Sequence, residues 1–97
     1  MKVIWSPLAL GKLEESAKFI ALDKQSAAEK WVNDIFDHAE MLCSQPEMGR
    51  EVAELSDSRY REIVFGSYRI IYKIENDIKV LTIRNSRQLL SSNDVEL

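Results

Sequence analysis

The sequence predicts an α+β domain in the order β-α-α-β-β-β, a helical hairpin packed on one face of a mainly antiparallel sheet. Three observations carry this. Residues 7–43 set apolar side chains at helical spacing in two runs, and residues 60–85 alternate apolar and polar side chains in three. Gly66-Ser67 and Asn76-Asp77 divide those last runs as two-residue links of the kind that select primed hairpin turns.

The elements follow in order. Lys2 to Trp5 is a short apolar strand. Ser6-Pro7 starts a helix, with Ser as the N-cap and Pro at the first helical position, where its missing N–H is no loss. Leu10, Leu13, Ala17 and Ile20 share one face of that helix, which is predicted to run to about Leu22. Asp23 interrupts it, and a second helix is expected from Lys24 or Ser26 to Cys43. Ala28, Val32, Ile35, Ala39 and Leu42 form its buried stripe, widened by Trp31 and Phe36, with Lys30 and Asp34 as an i,i+4 pair on the wet side. So short a link between the two makes an αα-hairpin, ended by Pro46.

Pro46-Glu-Met-Gly-Arg50 reads as a loop, Glu51 to Leu55 as a short extended piece and Ser56-Asp57-Ser58 as a turn. Three strands follow, about Tyr60–Phe65, Tyr68–Glu75 and Ile78–Asn85, and then a tail, Ser91 to Leu97, expected to be frayed. Alternation gives the middle strand an apolar face, Tyr68, Ile70, Tyr72 and Ile74, for the helical hairpin. Ile63 and Phe65 join it. Arg69, Ile71, Lys73 and Glu75 point the other way, beside Glu62 and Val64, onto a face expected to be open.

Composition narrows the function classes. Ninety-seven residues, 45% hydrophobic and 30% charged, make residues 1–97 one globular domain. No run approaches the length of a membrane span, and the start lacks a signal-peptide apolar region, so a cytoplasmic protein is expected. The single Cys43 excludes an internal disulfide, and with one histidine in the chain no metal site or cofactor is expected. The net charge is −3, yet all six Arg lie between Arg50 and Arg87. Arg concentrated in one segment suits planar recognition of carboxylate or phosphate. The overall acidity argues against broad nucleic-acid binding. His38, at the edge of the apolar stripe, reads as a partly buried structural residue, Cys43 as packing, Trp5 and Trp31 as core or core-edge anchors, and Tyr60, next to the turn, as an exposed residue with a contact role as the lesser alternative.

Residues 61 to 75, Arg-Glu-Ile-Val-Phe-Gly-Ser-Tyr-Arg-Ile-Ile-Tyr-Lys-Ile-Glu, resemble the core strands of the ParE/RelE toxin superfamily. The Ser-Pro helix start, the acid-rich hairpin, the segment Pro46-Glu-Met-Gly-Arg-Glu-Val-Ala-Glu-Leu55 and the ending Arg84-Asn-Ser-Arg-Gln-Leu-Leu90 extend the resemblance over nearly the whole chain. The Pro46–Leu55 segment looks like the ParE branch. That branch implies a toxin of a type II toxin–antitoxin system that traps DNA gyrase by protein contact. Its inhibitor would be a ParD-like antitoxin with a ribbon-helix-helix start, through which alone operator DNA is bound. The RelE branch implies a ribosome-dependent mRNA endonuclease, which needs cations on the scissile phosphate and an acid–base pair. Aligned on Tyr68-Arg69, its two basic strand positions fall on Glu62 and Val64, while Asn85 and Gln88 stand where relatives carry His or Arg. Only Arg69 and Arg87 of that set remain, so no catalytic residue is assigned. A non-toxic antitoxin-binding relative is the third reading.

The resemblance and the strand pattern together nominate Arg69, Lys73, Arg84 and Arg87 as target-binding residues, with a salt bridge to Glu62 across the strand pair as the alternative role for Arg69. For the antitoxin they nominate an apolar rim of Leu8, Leu13, Phe19 and Trp31, with Arg69, Lys73 and Arg84 receiving carboxylates.

Overall fold

The structure is a computed structural model that describes residues 1–85. Its elements are β1 (Val3–Trp5), α1 (Pro7–Ala21), α2 (Gln25–Glu40), a 3-10 turn (Met41–Cys43), β2 (Arg50–Glu51), β3 (Tyr60–Phe65), β4 (Tyr68–Ile74) and β5 (Ile78–Asn85). The five strands lie in the order β1-β5-β4-β3-β2, with β1 parallel to β5 and all other pairs antiparallel.

Ser6 ties the first helix to the sheet. Its Oγ accepts from the Ala9 backbone N–H at 3.0 Å and donates to the Leu81 carbonyl at 2.8 Å. Leu81 is the extra residue of a β-bulge, since Ile71 pairs with Thr82 and Tyr72 with Val80. One hydroxyl thus caps α1 and satisfies the irregular point of β5.

The helix-facing core gathers Ala9 and Leu13 from α1, Ile35 from α2, Leu42, and Ile63, Ile70, Tyr72, Ile78, Val80 and Ile83 from the sheet. Tyr68, Ile74 and Phe65 pack at its margin, as the alternation of the strands implies. Trp5 meets Phe36 edge-on at 5.0 Å, Trp31 lies 5.1 Å from the Tyr68 ring, and His38 lies 4.6 Å from Phe65. His38 Nδ1 is 2.9 Å from the Asp34 carbonyl, a local tie within α2.

Several expectations are corrected. The extended piece at Glu51–Leu55 is instead the two-residue strand Arg50–Glu51 followed by a turn, closed by the Leu55 N–H on the Val52 carbonyl at 3.1 Å. The cause is Val52, which is buried against Ile71 and draws the chain over the sheet. Gly66 has the positive φ of 60° that a primed turn requires, but no non-glycine residue among those described has one. Asn76-Asp77 is therefore not a primed two-residue turn; Ile74 pairs with Ile78 across three residues. The second helix also ends at Glu40 and tightens into the 3-10 turn before Cys43.

Candidate functional site

Cross-strand partners share a face, so the register fixes what lies on the side of the sheet away from the helices. Tyr60, Glu62 and Val64 come from β3, Arg69, Ile71 and Lys73 from β4, and Lys79, Thr82 and Arg84 from β5. This face was expected to be open. It is not: residues 52–60 fold across it, and Val52 and Ile71 form a second small core with Leu55 and Tyr60 at its edge.

Arg69 lies beneath that cover, only 6% exposed, and its exposure is the main correction to the sequence reading. Nε and Nη2 donate to Glu62, while Nη1 and Nη2 donate to Glu54 at 2.8 and 2.9 Å. Glu62 is itself 3% exposed and also accepts from Arg50 Nε at 3.3 Å. The hydrogen bonds to Glu54, then those to Glu62, push the guanidinium pKa further up. Two carboxylates thus close on one planar fork, the geometry that Arg provides and Lys cannot.

Lys73 is partly exposed, sits 5.2 Å above the Tyr60 ring and lies 3.5 Å from Glu75 Oε1. Lys79 reaches the same oxygen at 3.5 Å. Arg84 stands directly opposite Arg69 in the ladder and is half-buried. The structure therefore brings Arg69, Lys73 and Arg84 onto one face. Arg87 and the tail expected to fray lie outside the described residues.

The loop before β2 is held from below by Tyr72. Its hydroxyl donates to the Pro46 carbonyl at 2.7 Å and accepts from the Gly49 N–H at 3.0 Å. Burial pushes the phenol's pKa up, against the lowering effect of the Gly49 N–H, so it stays a donor. Arg61 Nη1 adds a bond to the Gly49 carbonyl at 2.9 Å. The segment Pro46–Arg50 and the residue Tyr72 are two ends of one clamp that delivers residues 50–55 onto the second face.

The proposed rim on the hairpin separates into two groups. Phe19, 72% exposed, and Leu8 are on the surface, whereas Leu13, 6% exposed, is core and cannot line a rim. Trp31 is edge packing on Tyr68. Leu22, 85% exposed, lies just past the end of α1 and joins Phe19 on the surface. Phe19, Ile20, Leu22 and Tyr68 border an open cleft between the hairpin tip and the turn at Ser67.

Glu54 and Lys79 also escaped the sequence reading. For Glu54 the signal was present in the Glu-Leu that ends the Pro46–Leu55 segment, but nothing local pairs it with Arg69. Cys43 has its thiol pushed up by burial and by the Glu40 carboxylate, which disfavours the nucleophilic thiolate. Among the described residues no cluster of three His, Cys, Asp or Glu is placed to hold a metal, and no helix is long and apolar enough to cross a membrane.

The family model for the ParE toxin of the type II toxin-antitoxin system parDE matches residues 3–90. No curated protein matches the chain. Among solved structures, a chain of the chromosomal ParDE TA system from P. aeruginosa is similar in fold, with a TM-score of 0.72 at 18% identity, covering 88% of this chain and 95% of that one.

Proposed function

The chain belongs to the ParE toxin family of type II toxin–antitoxin systems, and from that premise we propose that it arrests growth by binding DNA gyrase in the cytoplasm and is neutralised by a ParD-like antitoxin. One observation carries the choice of a protein target over RNA. At the sheet position where an RNA-cleaving relative needs cations for the scissile phosphate, this chain sets the buried carboxylate Glu62, and Arg69 is committed to Glu62 and Glu54. Glu62, fixed in β3, puts a carboxylate where the scissile phosphate of an RNA would need a cation. Val64 stands at the other basic position and has nothing to offer a phosphate. Trapping an enzyme by contact requires no acid–base pair, only a complementary surface.

Candidate target contacts are Lys73 and Arg84, with Arg87 beyond the described residues, while Arg69, held by Glu62 and Glu54 beneath the cover, supports the face without presenting itself to a target. Candidate antitoxin contacts are the exposed apolar residues Leu8 and Phe19, with Lys73 and Arg84 for carboxylates. An antitoxin segment that folds on these surfaces would bury on the order of 1,000–3,000 Å² and bind with a markedly negative heat-capacity change.

The experiment is induction in bacteria without an antitoxin. Filamentation with a DNA-damage response and intact transcripts is the expected result. Codon-dependent mRNA cuts within the ribosome would replace this reading with the endonuclease, and normal growth would favour a non-toxic antitoxin-binding relative.

A further inference from the structure

The second face carries two directly opposed cation pairs, Arg69 with Arg84 and Lys73 with Lys79. Like charges facing across a ladder destabilise a sheet unless opposite charge lies between them. Glu75 serves the lysine pair, within 3.5 Å of both ammonium groups. Glu62 and Glu54 serve Arg69, and they are held in different ways. Glu62 lies in β3, paired to Arg50 on one side and Ile71 on the other. Glu54 lies in the turn between β2 and β3, outside every strand, and its side chain is 19% exposed against 3% for Glu62. That turn is tied by the Val52 N–H to the Tyr60 carbonyl at a long 3.4 Å and by the packing of Val52 and Leu55.

We propose that the turn Val52–Leu55 is a releasable strap latched by Glu54 on Arg69, and that the place of the Glu54 carboxylate is a receptor for a carboxylate of an acidic partner segment. Glu54 occupies the outer edge of the guanidinium, Nη1 and Nη2, which takes one carboxylate through two bonds. Lys73, Lys79 and Arg84 on the same face, with Arg50 at its rim, suit a segment with several acidic residues. The proposal rests on the reading of a protein partner given above and adds an internal competitor to it. While Glu54 is latched, apparent affinity is reduced to the fraction of molecules with the strap open. Removing its charge therefore strengthens binding of an acidic chain.

The test uses the full chain, wild type and Glu54→Gln, with poly-L-glutamate as the probe and polyuridine RNA as the comparison. Hydrogen exchange should quicken at the amides of Ala53 to Ser56 in Glu54→Gln, with β4 and β5 unchanged. Calorimetry should show poly-L-glutamate binding several-fold tighter to this variant than to wild type, and binding should lower strap protection in wild type. Glu54→Asp, one methylene shorter, should shift both readouts in the same direction and serves if Glu54→Gln does not fold. Unchanged strap exchange would remove the latch. Equal affinity of variant and wild type, or a preference of the variant for RNA, would remove the carboxylate receptor. None of these readouts involves gyrase or growth, so the toxin reading stands or falls separately.

Discussion

A side chain on Gly49 would collide with Tyr72: a Cβ built there stands 2.6 Å from the Tyr72 hydroxyl and 2.6 Å from the Glu62 carbonyl. The glycine of the Pro46–Leu55 segment and the second tyrosine of the β4 run are therefore one feature, formed by two stretches 23 residues apart. The close approach lets the Gly49 N–H reach the phenol and lets β2 begin at Arg50.

Gly49→Ala should destabilise the domain by about 1–3 kcal/mol, as forced overpacking does. Tyr72→Phe should lose about 1–3 kcal/mol by leaving the Pro46 carbonyl and Gly49 N–H without their shared partner. Tyr72→Ala should lose about 3–5 kcal/mol by opening a cavity in the core. Urea unfolding of the three variants checks the order, and a Gly49→Ala midpoint equal to wild type would refute the close contact.

Arg69→Ala should behave as a core substitution. It strands the buried Glu62 carboxylate and releases Glu54, so a loss of about 3–5 kcal/mol is expected. Pairing it with Glu62→Gln in a double-mutant cycle should recover part of that loss, because the stranded charge is then gone. Thermal melting reads both. An Arg69→Ala melt indistinguishable from wild type would restore the open face that the strand pattern alone suggested.

Asp57 gives a pH signature. The Arg59 side chain, then the Arg59 backbone N–H, hold its carboxyl down to about 2. A depressed folded-state pKa means that its contribution is present above the ordinary carboxylate range and is lost as pH falls toward about 2. Carboxyl-carbon NMR should record the low titration, and Arg59→Ala should return it to the ordinary range. An unshifted Asp57 in the intact chain would mean that the bidentate pair does not persist in solution.

Phe19→Ser should leave the melting temperature unchanged, since the ring is 72% exposed, while weakening capture by an antitoxin of the proposed ParD-like kind. Leu13→Ser is the contrast, expected to unfold the domain because Leu13 is core. Equal antitoxin affinity for wild type and Phe19→Ser would take the hairpin surface out of the antitoxin interface.

The parts of the fold legible in the sequence are those set by local rules. The bounds of β3 and β5, the Ser6 cap and the helix-facing side chains of β4 all stand as the alternation and capping patterns imply. The second face was misread because its cover is non-local. β2 is two residues long and leaves no alternation to detect, and Glu54 meets Arg69 across 15 residues of chain. The pattern could say which way Arg69 points. It could not say what lies above it, and for the candidate site that was the deciding fact.

The most direct measurement adds the purified protein to purified DNA gyrase and relaxed plasmid. Supercoiling should fall, or cleaved DNA should accumulate, in proportion to the protein added, and equimolar antitoxin should reverse the effect. Unchanged supercoiling without cleaved DNA, at protein concentrations that arrest growth in cells, would contradict gyrase as the target.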